Sequence, residues 1–133
     1  MKTILAGVLV ASGLLLAGRP TLAHHAFSAE FDANKPVNLT GTVTKVEWTN
    51  PHAWFYIDVA DAAGKVTNWA FELGGPNTLI RTGWTRNSLK VGDIVTVEGS
   101  RAKDGSPIAN SQVVTLKSTG QRLFAASSRG QQQ

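Results

Sequence analysis

The sequence predicts an all-β fold, a small barrel of five to six strands, and three observations support it. Five segments alternate apolar with polar residues or are rich in β-branched and aromatic residues, as strands are. Clusters of turn-forming residues, such as 61–64 and 103–106, separate these segments. The clearest helical pattern after the amino-terminal region is short, residues 77–81, and it falls between the third and fourth predicted strands.

Residues 1–23 have the pattern of a secretory signal peptide. Lys2 supplies a basic start, residues 4–17 form an apolar run, and Thr21-Leu22-Ala23 offers small residues at the two positions that signal peptidase reads. The run is shorter than the roughly 20 residues that a permanent membrane span needs. We therefore expect cleavage after Ala23. The mature product is expected to be soluble in the periplasm and not bound to a membrane. The alternative is an uncleaved amino-terminal anchor.

Residues 24–36 are predicted to form an arm ahead of the barrel domain. Phe27 and Phe31 are four apart, which is the spacing of one face of a helical turn, and residues 32–36 have the composition of a turn. A long first strand is predicted over residues 37–49. Its apolar residues lie at odd-numbered positions up to Val43 and at even-numbered positions from Val46. This switch near Lys45 indicates a β-bulge.

Residues 52–60 give the clearest strand, because four apolar residues alternate with polar or aromatic ones. The apolar face consists of Ala53, Phe55, Ile57 and Val59, and the opposite face consists of His52, Trp54, Tyr56 and Asp58. The third strand is predicted over residues 66–73. Its apolar face holds Trp69, Phe71 and Leu73, with Asn68, Ala70 and Glu72 opposite.

The remaining elements complete the predicted domain, residues 37–124. A short helix follows Pro76, strands are expected at residues 94–100 and 108–117, and residues 121–124 add an edge segment. Residues 125–133 lack periodicity and are expected to be disordered. Three strands, a short helical link and two strands is the order of an OB-type (oligonucleotide/oligosaccharide-binding) barrel. A small β-sandwich with an extra strand from the arm is the alternative.

Several motifs resemble those of a bacterial family of small exported proteins, catalogued as a domain of unknown function (number 6152). They are His24–Asp32, the stretch Leu39–Ala53 with its Trp48-Thr49-Asn50-Pro51-His52 core, Gly83-Trp84 and Gly92-Asp93. The resemblance extends to about Leu116. It implies a periplasmic protein of one domain, and it implies no activity.

Composition excludes several kinds of function. Because the chain has no cysteine, it can form neither a disulfide nor a thiolate metal site, so any metal needs nitrogen and oxygen ligands. Lys2 and Arg19 leave with the signal peptide, so 11 of the 13 basic residues remain against nine acidic ones. The basic residues are also scattered along the chain. We therefore expect no nucleic-acid partner.

The position of two histidines suggests a metal site. After cleavage behind Ala23, the amino group and the ring of His24 could chelate one ion, and a third nitrogen would complete a site suited to Cu(II). We take His52 as the candidate third ligand and His25 as a less natural one, because adjacent side chains in an extended chain point to opposite faces. Glu30 or Asp32 could add an oxygen ligand or accept a hydrogen bond from a ligand.

Two alternatives to this metal site stay open. Cleavage after Leu22 would put His25 in third place, where its ring, the amino group and two backbone amides can bind Cu(II) or Ni(II). Otherwise His24 and His25 are polar residues of a flexible terminus, and His52 is satisfied by a backbone carbonyl.

Aromatic residues on the first two strands suggest a second kind of site. Trp48, Trp54 and Tyr56, with Asn50 in the intervening turn, could form a platform for a ligand on the barrel face. The alternative is that Phe27 and Phe31 of the arm cover Trp54 and Tyr56, since large exposed apolar patches are unusual.

The sequence offers no pattern typical of an enzyme. Glu47, Asp58, Glu72 and Asp93 form no recognisable acid–base pair and are interpreted as solvated charges on strand faces. We therefore expect a periplasmic binding module that takes Cu(II) at its mature terminus. The alternative is an envelope module that binds a protein or other ligand on its aromatic face, without metal.

Overall fold

The computed structural model describes residues 27–126, which form six strands and two short helices. In chain order these are α1 (Phe27–Glu30), β1 (Phe31–Glu47), β2 (Trp54–Ala60), β3 (Val66–Glu72), α2 (Pro76–Arg81), β4 (Ile94–Ala102), β5 (Ile108–Leu116) and β6 (Arg122–Phe124). The expected signal peptide, the two histidines that follow it (His24 and His25) and the last seven residues all lie outside the described residues. The all-β prediction and the helical link after the third strand are confirmed.

The strands form one sheet in the order β3-β2-β1-β4-β5-β6, with an added pairing of β3 and β5. All neighbouring pairs are antiparallel except β3 with β5, which run parallel over residues 70–72 and 108–110. Each of β1 to β5 therefore pairs with at least two others, in a closed ring of pairings. No helix among residues 27–126 is both long and apolar enough to cross a membrane.

The main hydrophobic core lies on the inner face of this sheet. Phe55 and Phe71 on neighbouring strands are fully buried and stack with their ring centroids 5.3 Å apart. The expected alternation of β2 is confirmed, since Ala53, Phe55 and Ile57 are all inaccessible to solvent. This core fixes which side chains of β2 and β3 point outward, and it thereby positions the residues discussed below.

The first strand is longer than its sequence predicts. A turn was expected at residues 32–36, but these residues belong to β1. Pro36 is opposite Ser100 on β4, whereas residues 32–35 form an irregular stretch with no partner of their own on β4. Pairing with β4 at Phe31 and again from Pro36 onward keeps this irregular stretch within the strand. The predicted bulge is confirmed, because the β1–β2 register shifts between Val43 and Lys45. Pairing with β2 begins only at Thr42, so the first half of β1 pairs with β4 alone among the described residues.

Helix α1 belongs to a second, smaller core. The predicted helical turn is confirmed, and Phe27 packs against Phe31 with ring centroids 5.8 Å apart. Both rings are buried together with Ala102 and the half-buried Ile108. The sequence suggested that these phenylalanines would cover Trp54 and Tyr56. They are buried instead against β4 and β5, because β1 runs on beside β4 and carries them to that end of the sheet.

The carboxyl end of the described chain returns to the end of β3. The indole Nε1–H of Trp84 donates to the carbonyl of Phe124 at 2.8 Å, and the amide of Gly74 donates to the carbonyl of Ala125 at 2.8 Å. A Cβ atom on Gly74 would collide with the carbonyl of Ala126. The final residues of the described chain are thus held against the segment that follows β3.

Candidate functional site

The loop between β1 and β2 carries His52 to one end of the sheet. The Thr49 hydroxyl donates to the His52 carbonyl at 3.1 Å, and the Asn50–Pro51 peptide bond is cis. Ala53 exchanges backbone hydrogen bonds with the residues after β3, donating to Gly74 and accepting from Leu73. These two hydrogen bonds fix the backbone next to His52 and therefore the position of its imidazole.

The imidazole of His52 is oriented by a backbone carbonyl. Its Nδ1 lies 3.1 Å from the oxygen of Leu73, which can only accept a hydrogen bond, so Nδ1 carries the proton. In the neutral ring, Nε2 is then the atom with a free lone pair. No residue in the described range 27–126 hydrogen-bonds to Nε2. A histidine held through one nitrogen by a carbonyl is the arrangement found in metal-ligating histidines, whose other nitrogen binds the ion.

Glu72 lies beside this histidine and is buried. Its side chain is 6% exposed, its Oε1 is 3.8 Å from Nδ1 of His52, and the same oxygen accepts a hydrogen bond from the Asn110 amide at 3.3 Å. The interpretation of Glu72 as a solvated strand-face charge is therefore wrong. Its face of β3 is covered because Glu72 is opposite Asn110 in the parallel pairing of β3 with β5.

A cavity of about 380 Å³ opens beside His52. Among the described residues, its lining includes three carboxylate side chains and one imidazole but no lysine or arginine. These lining residues are Glu30, Glu47, Thr49, Asn50, Pro51, His52, Trp54 and Glu72. Within residues 27–126, no three acidic or histidine side chains are grouped closely enough to hold a metal ion.

Glu47 is the most tightly engaged of the three carboxylates. Its Oε1 lies 2.5 Å from the Lys45 ammonium, and its Oε2 accepts a hydrogen bond from the Tyr56 hydroxyl at 3.0 Å. The Lys45 hydrogen bond, and after it that of Tyr56, holds the pKa of Glu47 below its usual value. Burial, and after it the bond to Glu47, raises the pKa of Tyr56. Tyr56 thus anchors a carboxylate on the cavity wall.

Substituting Tyr56→Phe is expected to raise the pKa of Glu47 towards its ordinary value, because the ionised carboxylate loses a donor. Lys45→Met is expected to raise it further, since the lysine bond has the larger influence. NMR titration of the side-chain carboxyl carbon of Glu47 measures the pKa in both variants. The reverse order of the two shifts would contradict this account of the network.

A second cavity, of about 440 Å³, adjoins the first. Both are lined by Glu30 and Trp54. Phe31, Ala102 and Ile108 give the second cavity apolar walls, and Lys103, Asp104 and Ser106 of the β4–β5 turn also line it. Trp54 therefore stands between the β1–β2 loop and the β4–β5 turn, with a cavity on each side.

The structure brings some of the predicted site residues together and leaves others apart. His52, Asn50 and Trp54 line the same cavity, whereas Trp48 packs against the main core. Tyr56 is half-buried with its hydroxyl engaged. Of the two predicted oxygen ligands, Glu30 lines the cavity, while Asp32 does not and instead accepts a hydrogen bond from the amide of Asn34.

A family model described as a family of unknown function, DUF6152, matches residues 11–111. The chain belongs to DUF6152. No curated protein matches the chain. Membership in DUF6152 confirms the resemblance found in the sequence. The family description assigns no activity, so the function has to be argued from the site of this member.

Sequence reasoning missed the buried glutamate and the carbonyl that orients His52. Glu72 lies on the polar face of the alternating β3 sequence, where an exposed side chain is expected. Only the pairing of β3 with β5 shows that this position is covered. One signal was available. Asn110 lies on a strand that also carries core residues such as Ala109 and Val114, and a buried amide needs a polar partner, so a buried polar residue on a neighbouring strand was to be expected.

Proposed function

We propose that this member of DUF6152 is an exported periplasmic binding module that takes Cu(II) at its mature amino terminus. In this proposal the signal peptide is removed after Ala23, His24 supplies its amino group and ring, and His52 supplies Nε2. The ring of five strand pairings is interpreted as an OB-type barrel that carries the site at one end.

The observation that carries the proposal is the hydrogen bond between Nδ1 of His52 and the Leu73 carbonyl. It selects the tautomer that a metal ligand needs and leaves Nε2 available beside a cavity. The alternative in which a carbonyl merely satisfies His52 shares this bond. The two interpretations differ in whether Nε2 binds a metal ion, and titration of the protein with Cu(II) distinguishes them.

Reach along the chain supports His24 as the partner of His52. Glu30 lines the cavity of His52, and it lies one helical turn after Phe27, the first described residue. Only residues 24–26 separate Phe27 from the proposed cleavage site, and three extended residues span about 10 Å. Burial of Phe27 fixes the point from which they depart. The proposal requires these three residues to bridge the distance from Phe27 to the cavity of His52.

Copper is favoured by the available donors. Two ring nitrogens and one amine, in a chain without cysteine, suit Cu(II) better than the other common divalent ions. Glu30 is the better placed of the two predicted oxygen donors, because Asp32 is engaged with its own backbone turn.

Titration with Cu(II) tests the proposal on two forms of the mature chain. The first form begins at His24, and the second carries Gly-Ser-Gly-Ser ahead of His24, which keeps both histidines out of the first three positions. Changes outside the ligand shell already cost about 10- to 100-fold in metal affinity. Loss of the terminal amine is therefore expected to weaken binding by at least about 100-fold, measured by competition against a chelator of known affinity.

His52→Ala in both forms completes this experiment. The substitution should weaken Cu(II) binding by at least about 10-fold in the chain that begins at His24, and much less in the extended chain. Equal affinity of the two forms, or an unchanged affinity in the variant, would overturn the proposal. Intact mass of the exported protein establishes the cleavage site, and a chain that begins at Ala23 would favour the site built on His25.

Trp54 favours a second candidate function, an envelope module that binds a protein or other ligand without metal. Its half-buried side chain lines both cavities, so a ligand in either one would contact it. Trp48 and Tyr56 contribute less surface, because one packs on the core and the other holds Glu47. This function would not depend on which residue begins the mature chain, so the two forms described above distinguish the candidates.

A further inference from the structure

The Trp54 side chain stands between two cavities of contrasting character. The side chain is half-buried and lines both of them. The larger cavity has apolar walls formed by Phe31, Ala102 and Ile108, whereas the smaller one is lined by polar side chains such as that of Asn50. The two cavities and the indole between them form the Trp54 groove. A ligand that occupies the whole groove therefore needs an apolar part and a polar part.

Both walls of the Trp54 groove are held by the protein's own contacts. The guanidinium group of Arg101 donates to two carbonyls of the β4–β5 turn, and its Cζ lies 5.3 Å from the ring centroid of Trp69 on β3. The Lys103 amide in the same turn donates to the Glu30 carbonyl of α1 at 2.9 Å. On the other side, the backbone of Ala53 fixes the β1–β2 loop. The groove is therefore largely preformed, as sites for small ligands usually are.

Charge disfavours an anionic ligand in this groove. The charged residues of its described lining, apart from His52, are four carboxylates and one amine, namely Glu30, Glu47, Glu72, Asp104 and Lys103. Molecules rich in phosphate or carboxylate groups would meet net repulsion there. A purely apolar ligand is disfavoured as well, because it would take the polar side chains of the smaller cavity out of water without replacing their hydrogen bonds. An uncharged ligand with many hydroxyl groups avoids both costs.

Hydroxyl groups suit these carboxylates even where the carboxylates already have partners. In Asp104, for example, Oδ1 accepts from the amide and the hydroxyl of Ser106 at 2.9 and 2.6 Å. A carboxylate has about four lone-pair sites on its two oxygens, so Asp104 can also accept from a ligand hydroxyl. The amide of Asn50 can both donate and accept. The groove therefore offers partners to hydroxyl groups without giving up its internal hydrogen bonds.

Trp54 and the apolar walls narrow the class of ligand further. A pyranose ring has an apolar C–H face that can pack on an indole, and its hydroxyl groups lie around the rim. In an N-acetylated amino sugar, the acetamido methyl group adds an apolar part that suits the walls of the larger cavity. We propose that the Trp54 groove binds an uncharged oligosaccharide of N-acetylated amino sugars, with one ring on Trp54. This inference rests on the second candidate function, the metal-free module on Trp54, and not on Cu(II).

Calorimetric titration of the mature chain in EDTA with two sugars tests the inference. Chitotetraose is an oligomer of N-acetylglucosamine, and cellotetraose is the glucose oligomer with the same linkage, so the acetamido groups make the difference between them. One additional small apolar group in an apolar pocket is worth about 10- to 200-fold in discrimination. Chitotetraose is therefore expected to bind at least about 10-fold more tightly than cellotetraose.

Trp54→Ala is expected to weaken the binding of chitotetraose by at least about 10-fold, because an aromatic side chain at the centre of a site carries much of the binding energy. Phe124→Ala is the matched control. It also removes an aromatic ring, but at a side chain that is 65% exposed and lines neither cavity. The control should leave the affinity unchanged.

Ile108→Thr tests the apolar wall, because it adds a hydroxyl group and keeps a β-branched side chain on β5. It is expected to lower the affinity for chitotetraose by about 10-fold and to change the affinity for cellotetraose little. Ile94→Thr is the matched control, since it makes the same change at a side chain that is 52% exposed and lines neither cavity. The control should keep the preference for chitotetraose.

The possible failures can be told apart. Equal affinity for the two sugars, lost in Trp54→Ala, would overturn the inference about N-acetylated sugars and still support a binding site on Trp54. No binding of either sugar, or binding that Trp54→Ala leaves unchanged, would overturn a saccharide site in the groove altogether. Titration of the same proteins with Cu(II) is scored separately, so the saccharide inference and the copper proposal can fail independently.

Discussion

Phe55→Ala is expected to lower the free energy of unfolding by about 3–5 kcal/mol, the usual cost of removing a fully buried phenylalanine ring. The side chain is completely inaccessible to solvent and stacks on Phe71 at an interplanar angle of 15°. Truncation therefore leaves a cavity between β2 and β3 and removes the ring contact as well. Because domains of this size are stabilised by only about 5–15 kcal/mol, the loss is a large part of the total.

Urea unfolding, followed by tryptophan fluorescence, measures this loss. Phe124→Ala is the matched control, since it makes the same chemical change at a side chain that is 65% exposed. The control should change the free energy of unfolding by less than about 0.5 kcal/mol. Similar losses in the two variants would mean that the stacked pair is not the centre of the core.

Gly99→Ala is expected to cost about 3 kcal/mol, because the new methyl group has no room. A Cβ atom at this position would collide with the backbone carbonyl of Asn110 on β5, at the point where the β4–β5 register shifts. Backbone atoms in a paired strand cannot move aside as the end of a flexible side chain can. The substitution therefore forces the two strands apart or shifts their register.

Gly83→Ala separates this steric effect from backbone conformation. Gly83 has a φ of +97° and nothing within 4 Å of an added Cβ, so only the left-handed conformation disfavours alanine there, by about 1–2 kcal/mol. Gly99→Ala should also disturb His52, because the Asn110 side chain bonds Glu72 beside the imidazole. The ring proton signals of His52 should shift in Gly99→Ala and not in Gly83→Ala. Equal losses in the free energy of unfolding for Gly99→Ala and Gly83→Ala would contradict the proposed collision with Asn110.

Much of the fold could be predicted because local patterns and tertiary pairing agree. The alternation of β2 and the phase change near Lys45 follow directly from burial on one sheet face, and the structure confirms both. Prediction failed where a distant strand decides the outcome. Residues 32–36 look like a turn but lie within β1, because β4 pairs with the chain on either side of residues 32–35, at Phe31 and from Pro36 onward. No local pattern contains that information.

The candidate site could be predicted only in part, for the same reason. His52, Asn50 and Trp54 were identified from one short stretch, and the structure places them around one cavity. The residues that give this cavity its charge come from α1, β1 and β3, and Glu72 in particular is buried by its neighbour on β5. The sites on His24 and His25 stay predictions, since these residues lie outside the described range.

The first half of β1 pairs with β4 along one edge, and its other edge bears on how another chain could meet this protein. Among residues 27–126 no strand pairs with this second edge before Thr42, and an unpaired strand edge is the usual route to edge-to-edge aggregation. Pro36 offers no N–H on that edge, Lys35 adds a charge, and the register is irregular between Phe31 and Pro36. Only residues 37–41 remain as a regular template. A regular segment of five residues, flanked by a proline and an irregular register, is a weak template for a strand of another chain.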